Sequence, residues 1–252
     1  MKKAIRIIVM IICAAVFLYS AWQLFDYWRE YKTAKDFNED LFEKVVQVVP
    51  TETAAPGEPE VSEEKAPISV DFNLLRIDCD DVVGWLYSEG TQINYPVVQW
   101  QDNQYYLHRL LDGSYSDNGS LFLDFRNASD FSDFNSVIYG HHMKSGAMFG
   151  ELSRYKTQDY YDEHPVMYLL TQKQNYRLDI AAGFVTDAEA DLYRVKTDEA
   201  DKQQFIADAL EHSDFVSGVE LSADDRLVVL STCDYTAYDS RFVVIAKLVP
   251  IT

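Results

Sequence analysis

The stretch RLVVLSTCDYTAYDSRFVVIAKLV, residues 226–249, decides the fold. Arg226 to Thr232 and Arg241 to Val249 are rich in Val, Leu and Ile and read as two strands, with seven residues connecting Cys233 to Arg241. Joined as a hairpin, they bring Cys233 and Arg241 to face each other at its mouth, where opposed antiparallel positions have Cβ atoms about 4.5–5.5 Å apart. Thiol and guanidinium then serve the same small volume. Taken alone, this spacing favours a plainer role for Arg241, a surface cation pairing Asp234 or Asp239.

Outward from this hairpin, Val82 to Leu86, Ile93 to Val98, Ser120 to Phe125, Ser136 to Tyr139, Val166 to Thr171 and Tyr176 to Val185 also read as strands. Pro96 assigns its strand an edge or bulge position. Helical spacing predicts a short helix over Asp71 to Asp80 packing Phe72, Leu75 and Ile77. It predicts a second over Asn103 to Leu111 burying Tyr106, Leu107, Leu110 and Leu111, and a turn over Met148 to Tyr155. A longer helix follows over Asp198 to Ser213, with Phe205, Ile206 and Leu210 inward. Many short strands with few helices predict a mainly β fold, a barrel or sandwich with helical insertions.

The chain opens differently. Lys2, Lys3 and Arg6 precede an uncharged stretch from Ile7 to Phe25, whose nineteen residues cover roughly 28 Å as a helix, the hydrocarbon thickness of a bilayer. The basic end favours the cytoplasm, which leaves everything after Phe25 outside. A cleaved signal peptide is the rival reading. The run is long for that role, and Tyr19 stands where cleavage near Ala21 wants a small side chain, so residues 1–25 are assigned as an uncleaved membrane anchor. Residues 26–48 carry Tyr27, Tyr31, Phe37, Leu41, Phe42 and Val45 at mostly helical intervals, an amphipathic helix. Residues 49–67 hold Pro50, Pro56, Pro59 and Pro67 among glutamates, an extended solvated linker. The folded domain is then 68–252.

The 252 residues, 48% hydrophobic, suffice for one real core. With 41 acidic against 22 basic residues and a formal net charge of -19, the chain repels phosphates, so nucleic acid is excluded as a partner. Scattered acids with no ligand spacing give no metal site, and no cofactor is called for. Of Cys13, Cys79 and Cys233, a Cys79–Cys233 disulfide is compatible with the sequence, yet an odd count leaves a thiol to be explained.

Cys233 has the setting of a reactive thiol. A thiol with an ordinary pKa of about 8.5 is largely protonated at neutral pH, so a nucleophilic cysteine needs a neighbouring base or cation. His108 and His212 fall on predicted helices and His164 precedes Pro165, which leaves His141 and His142 at a strand exit. Adjacent residues on an extended segment point to opposite sides, so one of the two faces the thiol. Arg241 stays charged and its fitting duty is hydrogen bonding to a carbonyl or oxyanion.

Together these residues resemble the sortases, and specifically class B: Tyr139-Gly140-His141, Leu230-Ser231-Thr232-Cys233, and Arg241 beyond. Val82-Val83-Gly84-Trp85, Asn94-Tyr95-Pro96-Val97-Val98-Gln99, Asp102 to Leu107, Gly119 to Asp124, Met148-Phe149-Gly150 and Arg241 to Val244 extend the likeness over about Phe72 to Val249. The resemblance implies a closed eight-stranded sortase-type β-barrel with helical insertions behind an N-terminal transmembrane helix, on a Gram-positive cell. It implies a cysteine transpeptidase that cleaves a C-terminal sorting signal of exported proteins after threonine, holds the acyl group as a thioester, and passes it to an amine of a peptidoglycan precursor. On matching positions, Cys233 is the nucleophile, His141 the acid/base and Arg241 the oxyanion contact, while Asn103, Leu107, Tyr139, Ser231 and Thr232 line the signal groove. His142 follows directly, so the choice of His141 rests on the Tyr-Gly-His pattern. Three alternatives stay open: a pilus-polymerising sortase using a lysine amine, a non-catalytic membrane-anchored scaffold with the same barrel, and a papain-like protease.

Overall fold

The computed structural model describes residues 2–49, 65–234 and 239–252. Most of the proline-rich stretch 49–67 and the centre of the 234–240 connection lie outside the described residues. The chain divides into two compact units, residues up to Asp40 and Leu41–Thr252. The first is the greater part of one helix, α1 (Lys2–Val45), whose apolar stretch is long and apolar enough to cross a membrane and has its side chains exposed.

In the second unit, α1 gives way to β1 (Val46–Val48), which pairs antiparallel with β2 (Ile68–Val70) and joins the chain on either side of the undescribed stretch. The helix α2 (Phe72–Asp78) follows, its N-terminus capped by the Asp71 carboxylate accepting from Leu74 N at 3.0 Å. It buries Phe72 and Leu75, whereas Ile77, expected inside, is 77% exposed. A seven-residue helix has one face, and positions 72 and 75 already define it.

Eight strands then close a barrel: β3 (Val82–Tyr87), β4 (Asn94–Val98), β5 (Leu121–Leu123), β6 (Asn135–Tyr139), β7 (Val166–Leu170), β8 (Asn175–Asp187), β9 (Leu227–Cys233) and β10 (Ser240–Ile251). Their order around it is β10-β8-β7-β3-β4-β5-β6-β9, with parallel pairing at β4–β5 and β6–β9. This is the mainly β closed barrel expected. The ladder slips between Val82 and Gly84, and β5 meets β4 at Val97 and Val98, so Pro96 lies beyond the reach of that second ladder.

Val228, Leu230, Phe242 and Val244 point into the barrel with Leu121, Ile138, Phe149 and Leu178. Their neighbours Leu227, Val229, Val243 and Ile245 point outward into a second cluster with Phe205, Ile206 and Ala209 of α4 (Glu199–His212). Coverage of both faces explains why β9 reads as an unbroken apolar run with no alternation. Each such side chain contributes about 1.5–3 kcal/mol by leaving water. On α4, Ala209 takes the buried place expected of Leu210, which is 46% exposed.

One expected helix does not form. Asn103 to Leu111 contains a single 3₁₀ turn, Tyr106–His108. Its carbonyls are taken by distant donors: Tyr106 O accepts from Ser120 N at 3.1 Å and His108 O from Ser116 N at 3.1 Å. The Asp102 carboxylate draws in the N–H groups of Gln104 and Tyr105, a local turn that competes with helix. The turn expected near Met148 appears as a 3₁₀ segment, Leu152–Lys156, followed by an unanticipated short helix, α3 (Gln158–Glu163). All three cysteines are free thiols; Cys79 is buried with its sulfur 3.4 Å from Tyr106 Oη.

Candidate active site

The site stands on the outer face of β6, β9 and β10, at the end where β9 stops. Ladder register sets its floor, with Tyr139 opposite Ser231 across the parallel pair and Cys233 opposite Arg241 across the hairpin. Two irregular segments roof it, the 3₁₀ turn carrying Leu107 and the β8–α4 connection carrying Tyr193. Between them lies a cleft of about 250 Å³ lined by Asn103, Gln104, Leu107, Phe122, Tyr139, Gly140, His141, Ala188, Tyr193, Ser231, Thr232, Cys233 and Arg241. Every site residue expected from sequence is among them. Gln104, Phe122, Ala188 and Tyr193 were not anticipated, and Tyr193 lies on a segment whose sequence carries no periodic signal.

Gly140 permits the floor. A Cβ there would stand 2.4 Å from Leu121 Cδ2 and 2.7 Å from Phe149 Cδ2, so the chain leaves β6 pressed against the barrel core. His141 then reaches the roof, with Nε2 2.8 Å from Leu107 O. A carbonyl only accepts, so Nε2 carries the proton and the neutral ring keeps Nδ1 as its acceptor. Gly119, at φ +58, packs against that same turn, where a Cβ would lie 2.4 Å from Leu107 O.

Burial lowers the His141 pKa, opposed by the Leu107 carbonyl. His108, stacked on it at 5.5 Å, lowers it further, while Asp117 raises it. His142 points elsewhere: its Nδ1 lies 2.7 Å from Cys233 O and fixes the peptide carrying the thiol. The two adjacent histidines thus divide, one lining the cleft and one holding the nucleophile candidate's backbone.

Of the two roles expected of Arg241, the structure bears on the plainer one, pairing with Asp239. Arg241 lines the cleft, and its guanidinium also donates to Asp239, 3.3 Å away, and to Ser240 O at 3.2 Å. Asp234 is bound by Lys156 at 2.9 and 3.1 Å. The hydroxyls of Ser231 and Thr232 are committed, the first to Tyr193 Oη at 2.9 Å and the second to Gly140 O at 2.8 Å. Tyr193 has its pKa pushed up to about 12 by burial and stays protonated. No cluster of metal-binding side chains occurs among the described residues.

The cleft therefore has a thiol, a partly desolvated imidazole and a fixed cation in one lining. Residues 86–249 match the model of the sortase domain family. The chain is 38% identical over 175 residues to sortase B of Listeria monocytogenes, an alignment covering 67% of this chain and 70% of that protein. Among solved structures, the Staphylococcus aureus sortase B–substrate complex superposes with a TM-score of 0.69 at 32% identity, covering 72% of this chain and 85% of that one. Sortase B from B. anthracis in complex with AAEK1 gives 0.71 at 30% identity, covering 88% and 99%. The chain belongs to the sortase family, on its class B branch.

Proposed function

We propose that this protein is a membrane-anchored transpeptidase that cuts a C-terminal sorting signal after threonine and joins the new end to a cell-wall amine. In this reading His141 Nδ1 takes the proton of the Cys233 thiol, the thiolate so formed bonds to the threonine carbonyl carbon, and Arg241 N–H groups donate to the oxyanion that forms. The C–N bond to the next residue breaks, and His141 gives its proton to the departing amine. An acceptor amine of a peptidoglycan precursor then attacks the thioester, passes its proton to His141, and releases the thiolate. Asn103, Leu107 and Tyr139 line the groove for the signal, with Ser231 and Thr232 shaping its floor through the bonds they make.

The observation that carries this reading is the convergence of one ladder register, Cys233 opposite Arg241, with the Leu107-anchored imidazole in one cleft. The similarity to the S. aureus sortase B–substrate complex supports substrate binding by this chain. The apolar part of α1 supports anchoring with residues 26–252 outside the cell. The proposed organisation is an anchor at 1–25, an amphipathic helix from 26 that ends at Val45 rather than at 48 because Val46–Val48 pair with β2, a linker at 49–67 and a catalytic domain at 68–252.

The test incubates the full chain in detergent with a sorting-signal peptide and examines it by mass spectrometry. Expected are a thioester on Cys233, its diversion by hydroxylamine, and no adduct in Cys233→Ala. Hydrolysis at a rate and yield unaffected by added amine would turn the assignment towards a protease.

A further inference from the structure

We propose that Asp124 and Arg126 are positioning residues for the peptide groove: their ion pair, set behind its wall, ties together the three segments that carry Asn103, Tyr139 and Tyr193. The proposal rests on the groove reading above. Neither residue lines the cleft, and neither belongs to the thiol, imidazole and guanidinium set.

Asp124 follows β5 directly and is 1% exposed. Its Oδ2 accepts from Asn103 Nδ2 at 3.0 Å, from Tyr139 Oη at 3.0 Å and from Arg126 Nη2 at 2.6 Å. Its Oδ1 accepts from Arg126 N at 2.9 Å and Arg126 Nε at 2.8 Å. The guanidinium continues the chain of contacts, since Nη2 also donates to Tyr193 O at 3.1 Å. Tyr193 in turn meets Ser231, two positions before the thiol. The buried carboxylate thus joins the loop before the 3₁₀ turn to the end of β6, and its Arg126 partner extends the tie to the β8–α4 connection.

The sign of the charge gives each partner one orientation. Burial disfavours the anion, but Arg126 and Asn103 outweigh it and hold the Asp124 pKa below the usual carboxylate range. An ionised carboxylate accepts and cannot donate. Asn103 must therefore turn its NH₂ to Asp124, and its carbonyl accepts from Phe125 N at 3.0 Å. Tyr139 spends its hydroxyl hydrogen on Asp124, which sets its ring between Phe122, 5.3 Å away, and Tyr193, 5.9 Å away. These rings form the apolar side of the groove. Charge-assisted and forked, the Asp124–Arg126 contact is of the strong kind, suited to holding loops that no ladder holds.

The experiment compares Arg126→Gln, Arg126→Lys and Asp124→Asn with the unaltered full chain in detergent. It measures kcat and KM for a sorting-signal peptide, the rate at which iodoacetamide alkylates Cys233, and the melting temperature. Expected for Arg126→Gln is a rise in KM of about fivefold, with kcat within about twofold and alkylation unchanged, because the groove loosens while the chemistry stays intact. Arg126→Lys, which keeps the charge but loses the fork, falls between, and Asp124→Asn raises KM about tenfold or more. An unchanged KM in Arg126→Gln overturns the proposal, as do kcat and alkylation falling in step with the rise in KM. Should Asp124→Asn fail to fold, Arg126→Gln decides, since the Arg126 side chain is 46% exposed and its loss leaves the barrel packed. An unaltered chain that alkylates at Cys233 yet cleaves no signal peptide overturns the transpeptidase reading and this proposal with it.

Discussion

The floor and the roof of the cleft are built by different physics. The floor, β6, β9 and β10, is fixed by backbone ladders and covered on both faces, so each side chain's place follows from register. The roof, residues 99–119 and 188–198, has little regular structure and is held by side chains reaching for distant backbone groups. The floor carries the thiol and the guanidinium, and the roof supplies the carbonyl that orients the imidazole. Under the proposed function, the nucleophile and the oxyanion contact belong to the half that ladders hold, and much of the signal groove to the half that side chains hold.

The comparison breaks first at the thiol. Cys233→Ala is expected to lower transpeptidation by at least about 10⁴-fold while the melting temperature stays within a few degrees, as read by peptide cleavage and circular dichroism. Loss of the fold instead would mean that the residue serves packing.

Next comes a pair of glycine substitutions, one in each half. Gly140→Ala pushes a methyl group into Leu121 and Phe149, an overpacking of about 1–3 kcal/mol, so melting temperature and activity should fall together. Gly119→Ala instead strains a left-handed residue against Leu107 O, at a cost of about 1–2 kcal/mol confined to the roof. Its kcat/KM should drop about tenfold with a smaller melting shift. Equal melting losses in the two variants would show that roof and barrel unfold as one unit.

The smallest effect concerns pH. The His141 pKa is depressed by burial and by its His108 neighbour, so the acid limb of kcat/KM, a property of the thiol–imidazole pair, should lie below the ordinary histidine value of about 6.5. Removing the neighbouring charge favours the imidazolium. The limb should therefore move to higher pH in His108→Gln, and a shift to lower pH would contradict the stacking geometry.

How much was legible follows the same division. Hydrophobic runs marked every barrel strand, and the Cys233–Arg241 spacing anticipated the register that the hairpin adopts. The roof misled, because Tyr106, Leu107, Leu110 and Leu111 keep helical spacing while the carbonyls needed for a helix go to Ser116, Ser120 and His141. Local pattern cannot report partners many residues away. Tyr193 and the Asp124–Arg126 pair escaped for the same reason, as each takes its meaning from contacts between segments. The continuous run in β9 hid which side chains face inward, since that depends on the cover provided by α4.

The parallel pairing of β6 with β9 has a consequence in time. It joins Asn135 to Leu227, 92 positions apart in the chain, and β10 seals the barrel against β8 and β9. Contacts of such long sequence separation carry a large loop-closure entropy and form late in folding. Until they form, Cys233 has neither Arg241 opposite it nor a cleft shared with His141. Completion of the barrel is thus the event that assembles the cleft, and under the proposed function an incompletely folded chain has an ordinary thiol and no transpeptidase activity.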